Sequence, residues 1–570
     1  MGGVKKTSPQ RHQDTTAHKG RLSAPLCPGA FVARRLRLIL IAGFLVICGE
    51  APGGGSATQV WIPDNRDGTY TNPIIFADYS DPDVVRVGDD FYMTASSFNC
   101  SPGLPILHSR DLVNWTIIGH ALQRQVPERV FDKPQHGNGV WAPAIRHHNG
   151  EFYVYYPDPD FGIYVVKAKN PAGPWSKPIL IKSAKGWIDP CPFWDDNGNV
   201  YLVHAWAKSR AGINSILTLN RLTRDGMKVI DEGKTVFDGR ANHPTIEGPK
   251  LYKRNGYYYI FAPAGGVAAG WQTVLRSKSI YGPYEDRIVM DKGKTEINGP
   301  HQGAWVELKS GESWFIHFQD RGAYGRITHL QPMKWIADWP VIGVDNYGAG
   351  RGEPILKHRK PNVGRDYPSA VPQTSDEFDS KLSGLQWQWQ ANAQTGWMSL
   401  AARTGWLRLM AEPMLENAAN LWAAPNLLLQ KLPAPEFKVT TRIDFGKLGT
   451  NQKAGLIVMG TDYSYVAVER DAVGVRVARY ICGKAPEGNL ETLEAEATLP
   501  GTTAFLRVKV SSGALCQFSF SSDGQTFVAI GNRFNAREGR WIGAKVGLFC
   551  LGDGAMTKGY ADFDWFRFEL

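Results

Sequence analysis

Five residues in the first two-thirds of this 570-residue chain are of types that do chemistry and recur in similar surroundings: Asp81 in Asp81-Pro82-Asp83, Trp141 in Trp141-Ala142-Pro143, Asp189 in Asp189-Pro190, Glu247 in Glu247-Gly248-Pro249, and His301 in Pro300-His301-Gln302-Gly303. Three of the five are carboxylates. If they converge, one can activate a water as general base, a second can protonate a leaving oxygen, and the third can tune and orient the acid by like-charge repulsion. That is the equipment of glycosidic-bond hydrolysis, and the aromatic neighbours suit a sugar face. Two other readings compete: a metal cage of Asp and His ligands, and Asp-Pro as a simple strand opener.

The convergence depends on the elements behind these residues. About a dozen positions after each comes a turn and then an aromatic strand: Gly88-Asp89-Asp90 before Phe91-Tyr92, Asn149-Gly150 before Phe152-Tyr153, Asn197-Gly198 before Val200-Tyr201, Asn255-Gly256 before Tyr257-Tyr258-Tyr259, and Ser310-Gly311 before Trp314-Phe315. Five units spaced about 50 to 60 residues apart match four-stranded propeller blades. The innermost strands of a propeller line one channel, so residues in the same phase should meet there. Trp115 and Trp175 fall at outer-strand positions of the repeat and read as blade core, whereas Trp187 and Trp206 suit either core or channel.

The fold expected is therefore all-β: a five-bladed β-propeller over 57–343, a Gly-, Pro- and charge-rich strap over 344–374, and a β-sandwich of longer alternating strands over 375–570. Residues 1–56 read as a targeting segment, a signal peptide or an anchor. A basic stretch ending Arg34-Arg35-Leu36-Arg37 is followed by apolar Leu38 to Cys48, shorter than a membrane span needs, so the mature chain is expected to be exported (periplasmic or extracellular) with no membrane part.

The net charge of +10 loses its nucleic-acid meaning once it is located. Eight Lys and Arg against Asp14 and Glu50 precede residue 57, and the remainder shows no basic stripe, so no nucleic-acid partner is expected. Cys100, Cys191, Cys482, Cys516 and Cys550 are odd in number and show no metal-knuckle spacing, leaving room for one disulfide.

These residues resemble glycoside hydrolase family 43, the five-bladed propellers of β-xylosidases, α-L-arabinofuranosidases and arabinanases. The resemblance is carried by Asn72-Pro73-Ile74 leading to Asp81-Pro82-Asp83-Val84-Val85, by Asp189-Pro190 with Phe193, and by Glu247-Gly248-Pro249-Lys250-Leu251-Tyr252. It implies Asp81 as general base, Glu247 as general acid and Asp189 as the pKa-modulating, orienting carboxylate. It further implies Phe98 facing the terminal sugar, Arg326 contacting its hydroxyls and His301 beside the modulating aspartate, so that these three count as substrate-binding residues; Trp141, by its type and place, joins them as a candidate stacking surface. Asn99-Cys100-Ser101 departs from the bulkier Glu-Trp-Phe of many xylosidases at what would be the pocket rim, where Tyr324 is a further candidate. The half from Asp376 is similar to the concanavalin-like sandwich appended to such enzymes, and is either a carbohydrate-binding module or a buttress.

The activity implied is exo-acting, inverting release of xylose or L-arabinofuranose from xylan- or arabinan-derived oligosaccharides, with the two carboxyl groups roughly 6.5–9.5 Å apart. An endo-arabinanase and a non-catalytic sugar-binding propeller are the rivals. No cofactor or catalytic metal is expected. Asp562 and Asp564 are candidates for a structural Ca²⁺ site.

Overall fold

The computed structural model describes residues 59–554 and 559–570. The targeting-segment reading, with Cys27 and Cys48, falls outside them. The described residues form one compact unit, almost entirely of strands; α-helix among them is confined to single turns at Glu128–Phe131 and Lys208–Ala211. No helix of the described residues is long and apolar enough to cross a membrane.

Five four-stranded antiparallel sheets follow one another along the chain, each with its strands in sequence order. Their innermost strands are Asp83–Val87, Ala144–His148, Trp187–Trp194, Lys250–Arg254 and His301–Glu307. The second strands, such as Glu151–Asp158 and Ser313–Asp320, are buried along nearly their whole length. Both faces of a blade are covered by its neighbours, so these strands read as continuous apolar runs. Five apolar clusters fill the seams between blades. One contains Phe91, Met93, Trp115, Trp314 and Ile316 and joins the fifth blade to the first. Trp115 is wholly buried there, as its place in the repeat requires, while Trp175 is only half-buried.

The ring is closed by chain that precedes the first blade. Asn72 Nδ2 donates to Leu330 O at 2.8 Å and its Oδ1 accepts from Leu330 N at 2.8 Å, so one amide side chain replaces a backbone partner on the fifth blade. Tyr70 donates its hydroxyl to the same carbonyl. The strap is tied down as well: Lys357–Arg359 pairs with Thr69–Thr71, and Lys360 Nζ reaches Asp64 at 2.9 Å.

The second half is a sandwich of two eight-stranded sheets, whose core extends into the propeller through Phe76, Tyr324 and Ile327. Asn99, Cys100 and Ser101 belong to that junction. Ser101 and Trp389 exchange backbone hydrogen bonds at 3.1 and 2.7 Å, Asn99 Nδ2 donates to Gln390 O at 2.6 Å, and Lys545 Nζ lies 2.8 Å from Cys100 Sγ. The departure from the bulkier tripeptide therefore shapes the seat of the sandwich, not the pocket rim. Tyr324 is displaced from the rim in the same way: its hydroxyl donates to Pro435 O at 2.7 Å and accepts from Ala514 N at 2.8 Å, both in the sandwich. All five cysteines of the described residues are free and buried, so the disulfide does not form. Asp562 and Asp564 are held by guanidinium groups, Asp562 by Arg408 at 2.8 Å and Asp564 by Arg442 at 2.9 Å.

Candidate active site

At one end of the propeller channel a pocket of about 500 Å³ is lined by Asp81, Phe98, Trp141, Asp189, Glu247 and Arg326, six of the seven residues singled out from sequence. The propeller brings them together from all five blades and the loops between them.

The repeat carries a one-residue offset that spacing alone had hidden. Taking the Pro or Gly near the start of each inner strand as reference (Pro82, Pro143, Pro190, Pro249, Gly303), the residue just before it is Asp81, Ala142, Asp189, Gly248 or Gln302. In four of these the backbone is left-handed, with φ of 55° at Asp81, 57° at Asp189, 59° at Gly248 and 32° at Gln302. Trp141, Glu247 and His301 sit one residue earlier. Trp141 N and Glu247 N donate to Pro157 O and Pro263 O, each at 3.1 Å, confirming that those two are equivalent to each other and not to the aspartates. The left-handed step costs on the order of 1 kcal/mol where a side chain is present, and it lets two successive residues in a blade present groups to the pocket.

Asp81 is almost fully buried. Its Oδ2 accepts from Ser80 Oγ and Ser96 Oγ, both at 2.5 Å, and Arg326 Nη1 lies 3.3 Å from it. Arg326 is itself 8% exposed and also reaches Ser80 Oγ at 3.1 Å, so its guanidinium is shared between Asp81 and the pocket wall. Asp189 Oδ2 accepts from Gly248 N at 2.7 Å, which ties it to the residue directly after Glu247. Burial above all, and then the charges of Glu247 and Asp81, hold the Asp189 carboxyl well above the usual carboxylate range.

His301 does not reach the pocket. It is wholly enclosed, and its Nε2 lies 2.9 Å from Glu247 Oε1. The expectation of a substrate contact beside the modulating aspartate is corrected: its partner is the glutamate. Nδ1 has no partner among the described residues, so the ring proton belongs on Nε2, where it is donated to the carboxylate.

Phe98 lies in the wall with φ of 50°, paired through its backbone to Val140. Gly139 must be glycine for that pairing, since a Cβ there would stand 2.5 Å from Phe98 O. Trp187 is buried and stacked on His204, with ring centroids 3.8 Å apart, and so is core.

Val267, Ala142, Ile188, Gln302 and Trp541 complete the lining. Trp541 comes from the sandwich. Its ring stands edge-on to Trp141 with centroids 6.2 Å apart, and the loop bearing it is anchored by Gly543 N donating to Asp78 Oδ2 at 3.0 Å and Ala544 N to Ala323 O at 2.7 Å. Nothing in the spacing of the first 343 residues could have indicated it. The local signal is a bulky aromatic at φ of 63° in a glycine-bounded turn, Gly539 to Gly543, a conformation that needs outside support. Among the described residues no group of three or more His, Cys, Asp or Glu side chains is arranged to hold a metal ion.

Comparison with known proteins shows the family to which this fold belongs. Residues 70–340 match the model of glycosyl hydrolases family 43, and residues 375–569 match the β-xylosidase C-terminal concanavalin A-like domain. A putative β-xylosidase of Xylanibacter ruminicola is 40% identical over 87% of this chain and 88% of its own. A non-reducing-end α-L-arabinofuranosidase of Bacteroides ovatus is 30% identical over 88% of this chain and 95% of its own. Among solved structures, a xylan β-1,4-xylosidase from Bacillus halodurans superposes with a TM-score of 0.78 at 27% identity, covering 88% of this chain and all of that one.

Proposed function

The chain belongs to glycosyl hydrolases family 43 and is a glycosidase; from that premise we propose that it removes terminal xylose or L-arabinofuranose from xylan- or arabinan-derived oligosaccharides in a single inverting step. The observation that carries the proposal is the meeting of Asp81, Asp189 and Glu247 in one aromatic-walled pocket.

In this reading Asp81 is the base. Two serine hydroxyls and Arg326 fix its carboxylate, leaving it placed to take a proton from an attacking water. Glu247 is the acid. His301 occupies Oε1, which leaves Oε2 to deliver a proton to the departing glycosidic oxygen. Asp189 fixes the segment carrying Glu247 through Gly248 N, and burial together with the charges of Glu247 and Asp81 holds the Asp189 carboxyl well above the usual carboxylate range. The nucleophile is water, and the scheme calls on no cofactor. Phe98, Trp141 and Trp541 give the pocket an aromatic lining that suits the apolar faces of a terminal sugar, which supports exo action. The basic-then-apolar order of residues 1–56 supports export of the mature enzyme.

Hydrolysis of aryl β-D-xyloside and aryl α-L-arabinofuranoside tests the proposal. Release from at least one is expected. Release from neither, together with measurable binding of xylo-oligosaccharides, would make the protein a sugar-binding propeller instead.

A further inference from the structure

Gln302 is the pocket residue to which the scheme above gives no task. The residue is 6% exposed and lines the pocket with the three carboxylates. Its carboxamide makes no hydrogen bond with any described residue, and its Oε1 is enclosed without a donor. An enclosed amide without a partner is unfavourable, and in a folded protein the exceptions call for an explanation. The backbone is unfavourable as well, at φ of 32°.

Two features show that the fold makes room for this side chain. Gln302 holds the step of the fifth blade that Asp81 and Asp189 hold in the first and third, so the same left-handed turn points it at the same pocket. Opposite it stands Gly248, where a Cβ would lie 2.7 Å from Gln302 Cγ and 2.8 Å from its Cδ. Any other residue at 248 would push the carboxamide away.

We propose that Gln302 is a substrate-binding residue that sets sugar specificity: its carboxamide hydrogen-bonds one ring hydroxyl of the terminal pentose. The inference rests on the pentosidase reading above. A hydroxyl both donates and accepts, so it satisfies whichever end of the amide meets it. The neutral amide supplies this contact without adding a fourth negative charge to a pocket that already holds Asp81, Asp189 and Glu247. A sugar lacking the hydroxyl leaves the amide unpaired in an enclosed site, the situation in which polar contacts discriminate most strongly.

The test is a set of 2-, 3- and 4-deoxy analogues of the aryl β-xyloside (or the corresponding deoxy arabinofuranosides, should that glycoside be cleaved faster), assayed with the wild type and with Gln302→Met, which keeps length and removes hydrogen bonding. In the wild type one deoxy sugar should lose about 10²-fold or more in kcat/KM. In Gln302→Met that one penalty should shrink at least about tenfold while the other two persist, with the thermal midpoint unchanged. Three penalties equal in both proteins would overturn the assignment. If Gln302→Met fails to fold, Gln302→Asn, one methylene shorter, must show the same selective shrinkage or the assignment falls. A wild type that hydrolyses neither parent glycoside removes the pentosidase reading itself and this inference with it, an outcome distinct from intact turnover with unchanged penalties.

Discussion

His301 Nε2 stands 2.9 Å from Glu247 Oε1, joining the first strand of the fifth blade to the residue that leads into the fourth. With its other nitrogen unpartnered and its ring enclosed, His301 has no visible task except to hold one oxygen of the glutamate. It is a positioning residue.

Replacing it by phenylalanine should therefore lower kcat by about 10²-fold, the scale of a misplaced reacting group. KM should change little, because the ring never touches sugar. His301→Asn, which keeps a donor, should recover part of the loss. Equal kcat in His301→Phe and wild type, from steady-state assays, would remove the positioning role.

Asp81→Asn should lower kcat by about 10²–10⁴-fold, the usual contribution of a general base. The variant also leaves Arg326, 8% exposed, facing a neutral amide in place of a carboxylate, so its thermal midpoint should fall. Circular dichroism should still report the native fold. Near-normal turnover would exclude Asp81 as the base.

Asp189 couples activity to stability with opposite signs. Its carboxyl is raised in the folded chain, so folding favours the protonated form. That contribution is complete below the ordinary aspartate value and is lost as pH rises through the folded one. Asp189→Asn keeps an acceptor for Gly248 N and has no charge to bury. Relative to wild type, its thermal midpoint should improve steadily from pH 4 to pH 8 while kcat falls, and the high-pH limb of the rate profile should move to lower pH. A midpoint difference independent of pH would show that Asp189 is ionised without penalty.

Trp541 joins the sandwich to the pocket. Trp541→Ala should raise KM for aryl pentosides roughly fivefold, the equivalent of about 1 kcal/mol for losing one aromatic wall of the pocket, with little change in kcat. The residue is 54% exposed, so the thermal midpoint should hold. An unchanged KM would make the sandwich a buttress alone.

The all-β plan was legible in the sequence because turn-then-aromatic punctuation recurs five times, and Asp81, Asp189 and Glu247 were found because they fall near one phase of that repeat. The phase was right to within one residue. Asp81 and Asp189 occupy a left-handed step that Glu247 precedes, and a backbone dihedral leaves little trace at non-glycine positions. Trp541 and the seating of Asn99, Cys100 and Ser101 were out of reach for a different reason. Both belong to the junction between two halves of the chain, and repeat periodicity within one half carries no information about the other. His301 was found by its phase but misplaced by the resemblance, which set it beside the modulating aspartate as a substrate contact, whereas the ring is enclosed and held to Glu247.

The central claim is that water, activated by Asp81, displaces the aglycone directly while Glu247 protonates it. Proton NMR of the sugar first released from an aryl β-xyloside, read before mutarotation, tests this in one spectrum. The account predicts the α-anomer of xylose; first appearance of the β-anomer would mean a covalent intermediate and would contradict it.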